Sequence, residues 1–558
     1  MNNIKYDAII IGAGIGGLTT GATLAKAGKK VLVLEQHNIV GGCATVYKRR
    51  GSSPDKFVKF EVGLHEMDWG EDRVEMKSVM FKKLGLYDKI KLVTLPQAWR
   101  IKSEGMDLEI PEGHKEAMKA LEKQFPSEKA GIRKYFAGLK RMGYMIRRVP
   151  YDLKFLDFMF YPITTFPMNL YHMFTQKKTS DVMNSLFKND KLKRVLNTNI
   201  VYYHDNPYEF GWYYHACAQG AYYNSAKFVR GGSQELSNAL ADIIKENGGE
   251  VKTLADVKKI NLKGNKATGV TYVDRKTKEE ISVDGKYVVS NASPYNVYNE
   301  LLPKGFEDKR TVKLNKEVED SVSLYTVYII FKEKLSKLYP GNAYSTFMFT
   351  EKEFNAPFSE MSKGYKHIPI EERGFVLVDY SAIDSGLTEE DDPRSFGVFT
   401  GASFMSEWEN LSTEEYKAKK TKLAEDLIDR AEKYYPGIRE HIDYYEVATP
   451  KTIKRYIKTP SGVAYGYKQS GYLMGTRGPR MSNTVKNLHF TGAWTFPGGG
   501  FTGALLGGYL AGKNILFPIN WYVPLKTLLC TIVGTAIGTA HHWLPSVLAL
   551  IGIGSGGH

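Results

Sequence analysis

Gly12, Gly14 and Gly17 stand in Gly-x-Gly-x-x-Gly spacing within Gly12-Ala13-Gly14-Ile15-Gly16-Gly17, a pattern suited to holding a pyrophosphate. The first glycine permits a tight turn, the second lets the backbone approach the phosphates, and the third lets a helix pack close to a strand. The phosphates then meet backbone N–H groups at the positive end of that helix. Glu35 follows about 20 residues later and can accept from the hydroxyls of an adenosine ribose. A carboxylate there disfavours a 2′-phosphate, which argues against NADP and leaves NAD or FAD. The expected contacts of this region are Gly12, Gly14, Ile15, Gly16, Gly17, Glu35 and Gln36.

The flanking elements must position these residues. Tyr6-Asp7-Ala8-Ile9-Ile10-Ile11 is a β-branched apolar run that reads as a strand, and a small-residue helix should follow it to near Gly28. Val31 to Leu34 reads as the next strand, ending at Glu35. Strand, glycine turn, helix and strand make a βαβ unit with parallel strands and a right-handed crossover.

Gly41-Gly42-Cys43 follows soon after the ribose acid, and Phe60-Glu61-Val62-Gly63-Leu64-His65 lies further on. With the βαβ unit, these segments resemble the flavoproteins of the amine oxidase and phytoene desaturase superfamily, and most of all retinol saturase and carotenoid cis-trans isomerase. The resemblance implies FAD, with Gly41, Gly42 and Cys43 lying along it. Cys43 is then a small side chain packed against the cofactor, not a redox or covalent-flavin group. Gly231-Gly232-Ser233-Gln234 before a helix, followed by Gly248-Gly249 and a strand through Val257, is similar to the middle cofactor segment of that family. There the Val257 backbone is expected at the adenine. Ser290-Asn291-Ala292-Ser293-Pro294 resembles the saturase branch.

Asn487 to Phe490 reads as a strand, and Pro497-Gly498-Gly499-Gly500-Phe501-Thr502-Gly503 opens a small-residue helix. Gly498, Gly500 and Gly503 repeat the glycine spacing, but no later strand ends in an acid, so a second dinucleotide site is rejected. The resemblance puts this helix N-terminus at the flavin ring, where it favours the negative charge of the reduced form. Gly492, Ala493, Gly500, Phe501 and Thr502 are the implied contacts. Many relatives carry an acid after the glycine matching Gly492; Ala493-Trp494 stands here instead. No residue declares itself as acid, base or nucleophile. His65, Tyr203, His204 and Trp494 are the catalytic candidates, each competing with a packing or hydrogen-bonding role.

The remaining patterns bound the class. The 558 residues exceed what one core holds, and 43% apolar with 25% charged residues is ordinary globular composition. Three cysteines without CxxC spacing support neither a zinc site nor a disulfide framework, and no secretory signal precedes the first strand. The net charge of +15 is concentrated late, since no Asp or Glu occurs after Glu446. Without a nucleic-acid-binding motif, that basic end fits anionic lipid headgroups, or simply a solvated basic surface. Residues 74–147 read as charged and helical, with no chemistry. Residues 151–175 are crowded with Phe, Tyr and Met, and Pro162 and Pro167 break them; they read as an interfacial or substrate-mouth segment, or as core. In the tail, His541-His542 splits the apolar pieces 527–540 and 543–553, which are short for spanning and suit an in-plane anchor.

The expected fold is α/β: a Rossmann-like FAD-binding domain with a parallel sheet of βαβ units, interleaved with an α+β substrate domain, plus an apolar C-terminal tail. Its expected limits are 1–95, 225–300 and 440–514 for the FAD-binding domain, 96–224 and 301–439 for the substrate- and membrane-facing domain, and 515–558 for the tail. The expected function is saturation, desaturation or cis-trans isomerisation of carbon–carbon double bonds in a long apolar isoprenoid or polyene. The protein would bind the cytoplasmic side of a membrane peripherally or monotopically, with an electron partner that no motif names. A flavin amine oxidase and a non-catalytic polyene-binding flavoprotein are the alternatives.

Overall fold

A computed structural model describes residues 6–69, 75–147, 177–224, 226–307, 309–316, 321–468, 482 and 484–517. The aromatic segment 151–175 and the tail beyond Phe517 lie outside the described residues.

The glycine turn is framed as its residue types dictate. Strand β1 (Tyr6–Ile11) and strand β2 (Val31–Leu34) are almost wholly buried, and helix α1 (Ile15–Lys26) connects them before Gly28 turns the chain at φ +76°. Gly28 in the left-handed region is the usual stop for such a helix. Helix α2 (Ser233–Glu246) then leads into the short strand β3 (Glu250–Lys252), which pairs parallel to β2.

Strand β4 (Glu280–Ser290) belongs to two layers. Its second half runs parallel to β1, Tyr6 opposite Gly285 and Ile11 opposite Ser290, while its first half is antiparallel to Lys266–Asp274. The crossing-over residue is Gly285, where a Cβ would meet the Ile9 side chain at 2.8 Å. Strand β5 (Leu488–Phe490) pairs parallel to the far side of β4, and helix α3 (Gly500–Leu516) returns across α1. The two ends of the chain thus meet in one parallel sheet whose strands all end at the same edge.

The second sheet orders its strands Ile442–Ala448, Ser323–Phe331, Ser395–Ser403, Phe375–Asp379, Ser345–Met348, Gln97–Ser103 and Met106–Pro111. Ser323–Phe331 displays the period of two: Tyr325, Val327, Ile329 and Phe331 pack with Leu423, Leu427 and Ile428 of the helix Thr413–Glu432, whereas Tyr328 and Ile330 enter the core shared with β1 and α1. Each fully buried side chain of this kind is worth about 1.5–3 kcal/mol. The strand Ile442–Ala448 follows directly on the limit at 439/440 and joins this sheet by pairing with Ser323–Phe331.

Residues 74–147 are not helical throughout. Gln97–Ser103 and Met106–Pro111 form a hairpin around Gly105 at φ +72°. Trp99, Ile101, Met106, Leu108 and Ile110 are buried while Asp107 and Glu109 are exposed, so the charges occupy one face of a strand rather than of a helix.

Candidate functional site

The parallel strand edge opens onto a pocket of about 310 Å³ floored by the glycine turn. Gly12 is at φ +90°, and a Cβ on Gly14 would lie 2.6 Å from Asn291 Nδ2. Gly17 presses α1 onto the strand, since its Cβ would fall 2.2 Å from the Gly12 carbonyl oxygen. Gly41 and Gly42, at φ +124° and +61°, run beside the turn, and Gly41 N donates to the Ala13 carbonyl at 2.8 Å. A Cβ on Gly42 would be 3.4 Å from the Gly14 Cα. The cradle is therefore bare backbone on both sides.

Glu35 is oriented by the backbone it closes on. Its Oε2 accepts from Ala13 N at 2.8 Å and its Oε1 from His37 N at 2.9 Å, and each oxygen keeps a lone pair for a ribose hydroxyl. Gln36 and Val257 line the same end, next to Asp256. Lys258, Arg275 and Lys458 all pair with Asp256, and the hydrogen bonds from Lys258 and Arg275, with the nearby Lys458 charge, outweigh burial and lower its carboxyl to about 2. The helix Pro450–Ile457 covers this end, with the Tyr456 carbonyl 2.5 Å from His37 Nε2.

At the opposite end, Gly492 turns at φ +76° and Ala493, Trp494, Gly500 and Phe501 line the pocket. The first turns of α1 and α3 contain no acid of their own, so each helix presents the positive end of its dipole toward the pocket. Cys43 also lines the pocket, and burial pushes its thiol up to about 11, so the group is a thiol at neutral pH. A side-chain-free pyrophosphate cradle, a ribose carboxylate and a second helix N-terminus at the far end fit FAD.

A second cavity of about 870 Å³ adjoins the first, and Gly500 and Phe501 line both. One face of the helix Trp212–Asn224 supplies much of its surface through Tyr213, Tyr214, Cys217, Ala221 and Tyr222, while Trp212, His215, Gln219 and Tyr223 are buried behind. Tyr214 Oη donates to the Gly498 carbonyl at 2.9 Å, tying this helix to the glycine loop that opens α3. Glu66 and Asp68 bring carboxyl groups to the same cavity.

The expected residues divide between these spaces. Gly12, Gly14, Ile15, Gly16, Glu35, Gln36, Gly41, Gly42, Cys43, Val257, Ala493, Trp494, Gly500 and Phe501 line the smaller pocket. Gly17 and Gly492 support it from behind. Thr502 turns to the larger cavity, donating to Asp68 Oδ1 at 2.5 Å and accepting from buried Lys77 Nζ at 3.1 Å. Tyr203 lines the larger cavity and accepts from Gln219 Nε2 at 2.8 Å. Trp494 is buried with its ring edge-on to Tyr467 at 5.1 Å. His65 lines neither space; its Nδ1 lies 3.4 Å from Tyr202 Oη. His204 Nδ1 accepts from Asp205 N and Asn206 N, both at 2.9 Å, which is a turn-forming role.

Sequence reasoning passed over Asn291 as a contact, together with Glu66, Lys77 and the tyrosine helix. Asn291 was readable only as part of a resemblance. The paired tyrosines at 213–214 and 222–223 were a visible signal of a helix with two apolar surroundings.

Residues 15–516 match the family described as flavin containing amine oxidoreductase. An all-trans-retinol 13,14-reductase of Danio rerio is 28% identical over 91% of this chain and 86% of its own length. A chloroplastic prolycopene isomerase of Daucus carota is 24% identical over 92% of this chain and 80% of its own. Among solved structures, putrescine oxidase bound to putrescine superposes with a TM-score of 0.56 at 15% identity, covering 92% of this chain and 99% of that one.

Proposed function

The chain belongs to the flavin-containing amine oxidoreductase family, and from that premise we propose that it is an FAD-dependent oxidoreductase acting on carbon–carbon double bonds of a long apolar isoprenoid or polyene. The observation that carries this reading is the shared Gly500–Phe501 segment, which joins the cofactor pocket to the 870 Å³ tyrosine-lined cavity. That volume lies in the upper part of the roughly 300–1,000 Å³ range of ligand pockets. Relatives named for retinol reduction and prolycopene isomerisation act on conjugated chains, which favours a polyene over an amine.

Bound FAD would supply hydride chemistry at its ring. The glycine turn and Glu35 would hold its adenosine and pyrophosphate, and Ala493, Gly500 and Phe501 its ring end. The tyrosine face of Trp212–Asn224 would align the chain and exclude water from the reacting bond. Trp494 and Tyr203 are shape-setting contacts in this reading, one on each side of the shared segment.

A water-insoluble substrate must be collected from a lipid surface. The helix Pro450–Ile457 carries Lys451, Lys454 and Arg455, and its Tyr456 is 53% exposed, which suits contact with anionic headgroups at the membrane's cytoplasmic side. Among the described residues, no helix is long and apolar enough to cross a membrane; the basic helix Pro450–Ile457 supports a peripheral or monotopic association.

The test is mass spectrometry of everything non-covalently bound to the purified, detergent-solubilised protein. FAD together with an isoprenoid or polyene supports the reading; absence of flavin rejects it.

A further inference from the structure

Glu66 is only 7% exposed, yet it lines the 870 Å³ cavity. The segment that carries it is pinned from behind. Tyr380 Oη donates to the Leu64 carbonyl at 2.8 Å, and Tyr344 Oη to the His65 carbonyl at 2.5 Å. Three residues earlier, Gly63 reaches the boundary between the two cavities: a Cβ there would stand 3.8 Å from the Cys43 Cβ and 3.9 Å from the Phe501 ring. The backbone on either side of Glu66 is therefore fixed, and it leads from the boundary between the two cavities into the wall of the larger one.

Its surroundings leave it uncharged. Ser345 Oγ donates to Oε2 at 3.3 Å, and Tyr202, Tyr222, Tyr344 and Tyr380 are close enough to interact with it electrostatically. The nearby cation Lys77 is engaged by Asp68 at 3.3 Å and by Thr502, and among the described residues Glu66 has no ion pair to offset its burial. Burial without a cation raises the Glu66 carboxyl to about 8. A string of side chains lies behind it: Tyr202 is close enough to Ser345 to interact with it, and its hydroxyl lies 3.4 Å from His65 Nδ1. Burial lowers His65 to about 4, leaving a neutral imidazole at the end of the string.

We propose that Glu66 is the acid–base residue of this site, exchanging a proton with a carbon of the bound polyene, and that Ser345, Tyr202 and His65 are positioning residues behind it. The inference rests on the functional reading above. In the saturating direction, one carbon of the double bond receives the hydride carried by a reduced flavin, and the adjoining carbon takes the Glu66 proton. The O–H bond of the carboxyl breaks, a C–H bond forms, and the carboxylate regains a proton from solvent. In the desaturating direction, open above about pH 8 where the carboxyl is ionised, the carboxylate would accept the proton while an oxidised flavin would take the hydride.

Glu66→Gln keeps the shape of the side chain but has no acidic proton. With a general acid contributing about 10²–10⁴-fold, polyene conversion should fall by that factor while FAD affinity, read by flavin fluorescence, and polyene affinity, read by absorbance, stay unchanged. The infrared carboxylic C=O band of the unliganded protein at pH 7 should weaken in the same variant, and wild-type product formed by saturation in D2O should carry solvent deuterium at the carbon that takes the Glu66 proton as well as at the one that takes the hydride, because the N–H of a reduced flavin also exchanges. Conversion by Glu66→Gln at the wild-type rate, or an infrared spectrum unchanged by the substitution, overturns the proposal. A wild-type protein that converts no polyene overturns the functional reading, and this inference with it. Should Glu66→Gln fail to bind FAD, the pH profile of Ser345→Ala decides. Loss of the Ser345 hydrogen bond should move the alkaline limb of the rate to higher pH, and an unmoved limb rejects the assignment.

Discussion

Gly16 and Gly492, from opposite ends of the chain, touch so closely that a Cβ on Gly16 would lie 2.3 Å from the Gly492 Cα. The first belongs to the helix behind the pyrophosphate turn and the second to the loop leading to the flavin end. Along the same seam, Thr20 Oγ1 is 2.8 Å from Thr491 Oγ1 and 3.0 Å from the Gly508 carbonyl oxygen. The small residues of α1 and α3 thus let the glycine turn and the Gly492 loop share a single closely packed layer, which would hold both ends of a bound FAD.

Gly508→Val tests that seam. A Cβ on Gly508 would already fall 2.4 Å from the Gly16 carbonyl oxygen, so the larger side chain must push the helices apart. The expected cost is about 1–3 kcal/mol of stability, with weaker FAD binding, measured by denaturant unfolding and flavin fluorescence titration. Unchanged stability contradicts the tight contact.

Glu35→Ala removes two backbone hydrogen bonds together with the acceptors for the ribose. Hydrogen bonds to a charged group are worth about 1.5–3 kcal/mol, so FAD affinity should drop on the order of 10–100-fold. Isothermal titration of the apoprotein with FAD checks this, and AMP should lose affinity by a similar factor because the lost contacts are on the adenosine side.

Ala221 lies on the tyrosine helix and faces the larger cavity without lining the cofactor pocket. Ala221→Trp should therefore fill substrate space alone: polyene binding is lost or weakened at least about tenfold, a change of about 1.4 kcal/mol, while the flavin spectrum and FAD affinity are retained. Equal loss of both would show that the two cavities are not separable.

Stability should fall as pH rises from the acid side of neutrality. Burial lifts Glu66 from its ordinary 4.5 to about 8, and likewise lifts Glu61 and Glu353 to about 7. Between the unfolded and folded values the native chain holds protons that the unfolded chain has released, so each group contributes stability that is lost as pH climbs through that window. Each supplies a slope of ~1.4 kcal/mol per pH unit inside it. Urea unfolding from pH 5 to 8 reads the total, and the curve for Glu66→Gln should be flatter, most visibly between pH 7 and 8, where Glu66 supplies the larger share of the carboxyl slope.

The cofactor turn was legible because its physics is local. Gly12, Gly14 and Gly17 need their spacing to build the cradle, and Glu35 must end the next strand to meet it, so short-range pattern and three-dimensional site coincide. Other groups are created only by the fold. Lys77 and its near neighbour in sequence Asp68 meet Thr502 only when a distant segment folds against them, and Asn291 becomes a wall of the glycine turn because β4 lies beside β1. Thr502 was assigned to the cofactor because it follows Phe501, but one residue along a helix turns a side chain about 100°, enough to face the neighbouring cavity. The hairpin at Gln97–Pro111 read as a charged helix because its outer face carries Arg100, Lys102, Asp107 and Glu109. Glu66 was passed over for the adjacent His65, whose imidazole points behind the cavity wall.

The most direct test of the central claim is to photoreduce the bound flavin anaerobically, add a polyene, and follow flavin absorbance and the polyene by chromatography. Polyene altered only when reduced flavin is present, by loss of a double bond with flavin reoxidation or by a change of geometry, is the predicted result. Polyene that is bound but recovered unchanged, with the flavin still reduced, would contradict the assignment and mark the protein as a binder.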